Sequence, residues 1–363
     1  MSAENVTLAE LGFMFKEELE LCQVKAGDQV VLITDMNTRT DYVQASYAAA
    51  DALGVKIFEV RIGTPFNPNM IASEGGGDTL SSLPGAIQAI ESADLCLVFH
   101  VSLGAPWMQA ARKKGVRFLL IIDGPDELKR LMSPPGMKEA VKYATALTNR
   151  TKEMHVTSAA GTDFRARLGQ LDTVCQWGYC DEPGHVDTWG GAHFSTWANP
   201  GESEGVIVLE PGDCWIFPYV RYFESRVDLT IEGGFIRKIE GTGVDARIMD
   251  QFFKGHQTDP DDLTPYAVSH LGWGLNPNSL LDQMILHTDG HRIASHTRAW
   301  PEAFLFSTGP DDQGGGQNRT PAHLDLPMFN CSVAYDGTPV MVNGKIVDPK
   351  MIVKQTQQKR LSA

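Results

Sequence analysis

Between residues 28 and 123 the chain repeats one rhythm: a short, almost wholly apolar run, then a stretch with apolar residues at helical spacing. The runs are "DQVVLITD", "VKIFEVRIG", "DLCLVFH" and "VRFLLIID", and the spacers are "TDYVQASYAAADALG", "LPGAIQAIESA" and "APWMQAARKKG". Runs that are apolar on both faces must be covered on both faces, and strands that return after a helix run parallel. The pattern predicts a mainly parallel sheet covered by helices. "VTLAELGFMFKEELELCQV" adds a helix in front, and Gly54 ends the next one, as glycine does at helix C-termini. "GMKEAVKYATALTNRTKE" closes this α/β domain, predicted over 1–153.

From 154 the texture changes. "GVIVLEPGDC", "VDLTIEGGFIRKIEG" and "MFNCSVAYDGTPVMVNGKIV" read as strands joined by tight turns, with Asp336-Gly337 and Asn343-Gly344 as hairpin signals. One helix, "GVDARIMDQFFKGH", interrupts them, and the Gly- and Pro-rich "DEPGHVDTWGGAHFSTW" reads as a long loop. A β-rich α+β domain over 154–363 is predicted. A chain of 363 residues is long enough for two such cores.

Several classes of function drop out. The formal net charge of −14 argues against a nucleic-acid partner, which requires a basic footprint. The six cysteines are scattered without a CxxC, so a reducing compartment fits best. The N-terminal stretch has no basic-then-apolar signal, and no run approaches the length of a membrane span. A cytoplasmic protein without membrane contact is expected. Gly75, Gly76 and Gly77 neither follow a strand nor open a helix, so they read as a flexible surface loop, not a nucleotide fingerprint.

Nine of the ten histidines lie at or beyond 155, with His100 alone before them, which puts the chemistry in the second half. Three His-x-Asp pairs occur there: His185 with Asp187, His287 with Asp289, and His323 with Asp325. Side chains two apart on a strand share a face, so such a pair can offer an imidazole and a carboxylate to one ion. Two histidines and one carboxylate form the facial triad of non-haem iron(II) oxygenases. By itself the spacing is weak evidence, and context separates the pairs. Asp289-Gly290 is a turn signal, which places His287, His291 and His296 at the surface by default. His185 and Asp187 fall in the loop. "PAHLDLPMF" alternates cleanly, Leu324 and Leu326 one way and His323 and Asp325 the other, after the mobile glycine-rich stretch "STGPDDQGGGQNRT". His270 in "YAVSHLGWGLNPNS" is the best third partner, since a glycine-spaced turn lets backbone approach a ligand. A core histidine bonded to a carbonyl explains His270 as well.

"SHLGWGLNP", "FLFSTGP", "TPAHLDLPMFNC", "AGTDFRARLGQ" and "GYCDEPG" together resemble the 2,5-dihydroxypyridine 5,6-dioxygenase family, most strongly over 154–345. The resemblance implies an iron(II) enzyme of nicotinate catabolism that opens a hydroxylated pyridine ring with dioxygen, giving N-formylmaleamate from 2,5-dihydroxypyridine. It implies that His270, His323 and Asp325 hold the iron. The substrate supplies the electrons, so neither NADH nor flavin is required. Glu182 in "DEPG" matches the family's acid–base position. Ser307 in "FSTGP" is a candidate donor to the substrate, and Trp189, Trp197 or Trp273 could wall the ring. A homo-oligomer is expected.

The family's fold is similar to that of thermophilic-type metallo-aminopeptidases, so a two-metal hydrolase is the alternative. Such a site needs extra carboxylates, and "LTPYAVS" before His270 has none. The chain departs from the family where Thr188 and Gly104 stand in place of pocket histidines. His185 or His193 is expected to supply the missing proton transfer from a shifted position.

Overall fold

The four apolar runs become parallel strands. The computed structural model describes residues 6–63, 79–100, 105–281 and 295–355. Gly75 to Gly77, Gly104, His287, Asp289 and His291 lie outside the described residues, as does the side chain of His296.

The first sheet runs in the order Lys56–Arg61, Gln29–Thr34, Leu95–Val98, Arg117–Leu120, Val186–Thr188, every neighbour parallel. Helix Leu8–Leu21 starts at a reciprocal cap: Thr7 Oγ1 accepts from the Glu10 amide, and the Glu10 carboxylate accepts from the Thr7 amide at 2.8 Å. Helix Thr40–Leu53 ends at Gly54 with φ +67°, where a side chain would be strained. Val30, Leu32, Leu97 and Leu119 pack on Phe15, Leu19 and Tyr42 on one face. Val31, Ile33, Cys96 and Phe118 pack on Ile90, Trp107 and Met108 on the other. Double-sided burial is why these runs carry no alternation.

In the second unit an antiparallel eight-stranded sheet has the order Phe235–Glu240, Val227–Glu232, Ser203–Leu209, Asp163–Arg167, Glu153–Thr157, Ser332–Tyr335, Thr338–Val342, Lys345–Ile346. Asp336-Gly337 (φ +47° and +82°) and Asn343-Gly344 (φ +47° and +74°) make its two expected hairpin turns. An antiparallel five-stranded sheet has the order Leu324–Phe329, Ala303–Thr308, Val268–Gly274, His193–Trp197, Val174–Gln176. The two meet through Phe164 on Phe306 and Trp273 beside Tyr335, ring centroids 5.7 and 5.8 Å apart.

The two units are not the consecutive stretches 1–153 and 154–363. Segment Gly178–Gly191 belongs with the chain up to Met132, and Ser133–Trp177 belongs with the described residues from Ala192 on. Helix Met137–Thr148 packs on the strands Val174–Gln176 and His193–Trp197. "DEPGHVDTWGGAHFSTW" is not one long loop either. Val186–Thr188 extends the first sheet, and His193–Trp197 joins the five-stranded one. Hydrophobic rhythm reports what an element is, not which sheet it joins.

Candidate metal centre

Register groups a set of side chains of the five-stranded sheet on the face away from its apolar core residues. Leu271, Trp273, Phe304, Phe306, Leu324 and Leu326 are fully or almost fully buried and alternate with the other set. Across the strands Ser307 pairs with Asp325, Phe306 with Leu326, and His270 with Trp197. Strand alternation therefore groups Trp197, His270, Ser307 and Asp325 on the face away from the inter-sheet core. His323 stands immediately before the Asp325 strand.

Three donor atoms converge there. His270 Nε2 lies 3.4 Å from His323 Nε2 and 3.1 Å from Asp325 Oδ1, and His323 Nε2 lies 3.4 Å from the same oxygen. An ion about 2.1 Å from each donor spaces neighbouring donors roughly 3.0 to 3.4 Å apart, from right-angled to tetrahedral arrangements. The triangle has that size. Among the described residues it is the one trio of His, Cys, Asp or Glu so clustered.

The chemistry of the donors fits a cation as well. Asp325 is fully buried, yet among the described residues its Oδ1 meets no hydrogen bond of good geometry. Burial pushes its carboxyl up, but Arg298, His323 and His270 together hold it well below the usual carboxylate range. Arg298 Nη2 donates to Oδ2, leaving Oδ1 for the triangle. His323 Nδ1 donates to the Thr308 carbonyl at 2.8 Å, which fixes the tautomer with a free Nε2 lone pair. Burial pushes the His323 imidazolium down to about 4, so the ring is neutral at neutral pH. Phe217 packs on His323, and Trp197 stands edge-on to His270, with centroids 5.4 and 5.8 Å apart.

The glycines around His270 do something other than line a turn. "HLGWG" is the central strand of the sheet. A Cβ on Gly272 would sit 2.0 Å from the Phe194 carbonyl oxygen, and one on Gly274 would sit 1.9 Å from the Ala299 carbonyl carbon. The missing side chain at 274 lets the short helix Ser295–Ala299 press onto the strand, and that helix carries Arg298. Nothing in the spacing of "SHTRAW" pointed to Arg298, which falls in a polar stretch that reads as surface.

The remaining expected residues divide. His193 is buried beside the centre. Burial holds its imidazolium pKa well below the ordinary range, with Arg298 and His270 acting in the same sense and Asp325 opposing. Ser307 Oγ donates to the His270 carbonyl at 2.7 Å, opposite a register shift between Val268 and Leu271, so its proton braces the strand that carries His270. Glu182 and His185 belong to the first unit, where His185 Nε2 lies 2.9 Å from Asp187 Oδ2. Trp189 is not a wall of this site. It is a core residue of the first unit, its N–H donating to the Leu128 carbonyl at 3.2 Å and its ring against Phe15. The glycine-rich stretch before His323 is pinned rather than loose: Asn318 donates to the Gly309 and Thr264 carbonyls, and Asp311 accepts from the Asn318 amide.

Residues 10–348 match the family model for 2,5-dihydroxypyridine 5,6-dioxygenase (NicX). The chain belongs to that family. The 2,5-dihydroxypyridine 5,6-dioxygenase of Pseudomonas putida KT2440 is 35% identical over 349 residues, covering 95% of this chain and 98% of that protein. The solved structure of 2,5-dihydroxypyridine dioxygenase from the same strain superposes with a TM-score of 0.89 at 33% identity, covering 96% of this chain and 100% of that one. AmpT from Thermus thermophilus shares the fold, with a TM-score of 0.61 at 13% identity over 93% of this chain and 99% of that one. A ring-cleaving dioxygenase activity goes with membership of the NicX family, and the two-metal hydrolase is not favoured.

Proposed function

We propose that the chain uses iron(II) to open the ring of 2,5-dihydroxypyridine or a close analogue, giving N-formylmaleamate, with His270, His323 and Asp325 as the protein ligands. The observation that carries this reading is the three-atom triangle, whose buried carboxylate oxygen has no hydrogen-bond donor among the described residues. Iron(II) held there supplies redox-active Lewis acidity with positions left for substrate and dioxygen.

The chain's own residues do the rest. Arg298 ties one oxygen of Asp325 and so presents the other. His323 is oriented through Thr308 and kept neutral by burial. Trp197 and Phe217 flank the two imidazoles and limit how their rings can turn. His193 is neutral at neutral pH and takes the proton of a ring hydroxyl, while Glu182 and His185 are assigned acid–base roles. Ser307 serves the substrate indirectly, by bracing His270. The six thiols are free, in keeping with a reducing cytoplasm. A place in N-heterocycle (nicotinate) catabolism and a homo-oligomeric state complete the reading.

The test is anaerobic reconstitution of the full chain with iron(II), followed by metal analysis and oxygen uptake on 2,5-dihydroxypyridine. About one iron per chain, with uptake that depends on the ring and is lost in Asp325→Asn, is expected. Two bound zinc or cobalt ions with peptide hydrolysis would overturn the reading.

A further inference from the structure

The two imidazoles of the triangle are held in different ways. His323 donates its Nδ1 proton to a backbone carbonyl. His270 Nδ1 is buried and has no hydrogen-bond partner among the described residues. Metal-binding histidines are ordinarily oriented by a hydrogen bond from the second ring nitrogen, so the His270 ring must be oriented by packing. The packing partner is Trp197, its cross-strand neighbour.

Trp197 is 2% exposed, and its indole N–H also has no acceptor among the described residues. The contrast with Trp189 and Trp215 is direct, because each of those donates to a carbonyl. Trp197 is therefore placed by what presses on it. That element is the loop at Gly314. A Cβ there would lie 2.6 Å from Cε3 and 2.7 Å from Cδ2 of the indole. Ordinary carbon contacts lie at about 3.5–4.0 Å, so an alanine would displace the ring by roughly 1 Å. The Gly314 backbone does not give way easily: its carbonyl accepts from the Asp172 amide at 2.9 Å and its amide donates to the Asp311 carbonyl at 3.0 Å. Its φ is not in the left-handed region, so a side chain there is opposed by the indole and not by backbone strain.

We infer that Gly314 is a positioning residue for His270, acting through Trp197: its missing side chain lets the loop clamp the indole against the imidazole. The inference rests on the reading of His270 as a metal ligand. The test uses the full chain freed of metal with chelator and titrated with cobalt(II) alone. Gly314→Ala weakens cobalt(II) binding about tenfold, the lower end of what loss of ligand orientation costs. In a Trp197→Leu background the same change alters binding less than about twofold, because the group it strikes is gone. Equal binding by Gly314→Ala and the unaltered chain overturns the inference. So does an equal loss in both backgrounds, which would act through the loop and not the indole. If Gly314→Ala alone does not fold, folding of the double variant supports the clash and failure of both overturns it. Absence of cobalt(II) binding in the unaltered chain would instead bring down the metal reading, and the inference with it.

Discussion

Replacing Arg298 with methionine leaves a buried carboxylate without the guanidinium that hydrogen-bonds it. Asp325 is fully buried, Arg298 donates to its Oδ2, and its Oδ1 faces the Nε2 atoms of His270 and His323 at 3.1 and 3.4 Å. His323 is neutral at pH 7 and cannot balance the charge. Two unit charges about 4 Å apart attract by about 4 kcal/mol at an effective dielectric constant of about 20. Removing one partner of a buried pair costs about 3–5 kcal/mol, because the other charge stays behind unpaired. The Arg298 side chain keeps 19% exposure, so the lower end applies, about 3 kcal/mol. The assay is urea unfolding in chelator, followed by tryptophan fluorescence. Trp177, Trp197, Trp215, Trp273 and Trp300 lie in the second unit, so the signal is dominated by the unit that holds the pair. Arg298→Lys should lose about 1 kcal/mol, since it keeps the charge and gives up the planar fork. Saturating cobalt(II) should narrow the gap between Arg298→Met and the unaltered chain, because the ion takes over neutralisation of the carboxylate. A methionine variant within about 1 kcal/mol of the unaltered chain in chelator would refute the reasoning, as would a gap that widens with metal.

Four further changes separate roles. Trp189→Ala should cost about 3–5 kcal/mol of stability and leave the KM for the ring unchanged in the folded fraction, read by urea unfolding and steady-state kinetics. Ser307→Ala should weaken cobalt(II) binding several-fold with KM unchanged if the hydroxyl braces His270; a raised KM with intact metal binding would restore it as a substrate donor. Burial holds the Asp213 carboxyl up at about 6, so its folded pKa exceeds its unfolded value of about 3.9 and it binds its proton more tightly when folded. Its contribution is complete below about pH 3.9 and is lost as pH rises through about 6, a swing of about 3 kcal/mol that Asp213→Asn should abolish in urea unfolding at stepped pH. His193→Ala should lower turnover about a hundredfold or more with metal content unchanged, and the same comparison at Glu182 and His185 decides their proton-transfer roles; intact turnover removes the residue concerned.

Much of the fold was legible because burial leaves a signature in the chain. Runs such as "VVLI" and "CLV" are apolar throughout because helices cover both faces of their sheet. Asp336-Gly337 and Asn343-Gly344 take the left-handed conformations that tight hairpins demand. Val186–Thr188 left no comparable mark. It has three residues, one of them aliphatic, between Gly-rich flanks, and what makes it a strand is the exposed edge of Arg117–Leu120, about which local sequence says nothing.

The same division runs through the site. His323 and Asp325 were legible because strand alternation converts their spacing into a shared face, and Leu324 and Leu326 mark the opposite face by being buried in the core. The residues that orient those donors obey no spacing. Arg298 reaches Asp325 because Gly274 lets a five-residue helix press onto the central strand. Trp197 meets His270 because two strands far apart in sequence are paired in one register, and Gly314 meets Trp197 because a pinned loop folds back over it. A ligand must present a particular atom type, so its identity is written in the residue. A positioning group needs only to occupy or vacate a volume, and two of these four positions are glycines, whose contribution is the side chain they lack. Reading such a site therefore requires asking of each buried glycine what its Cβ would strike.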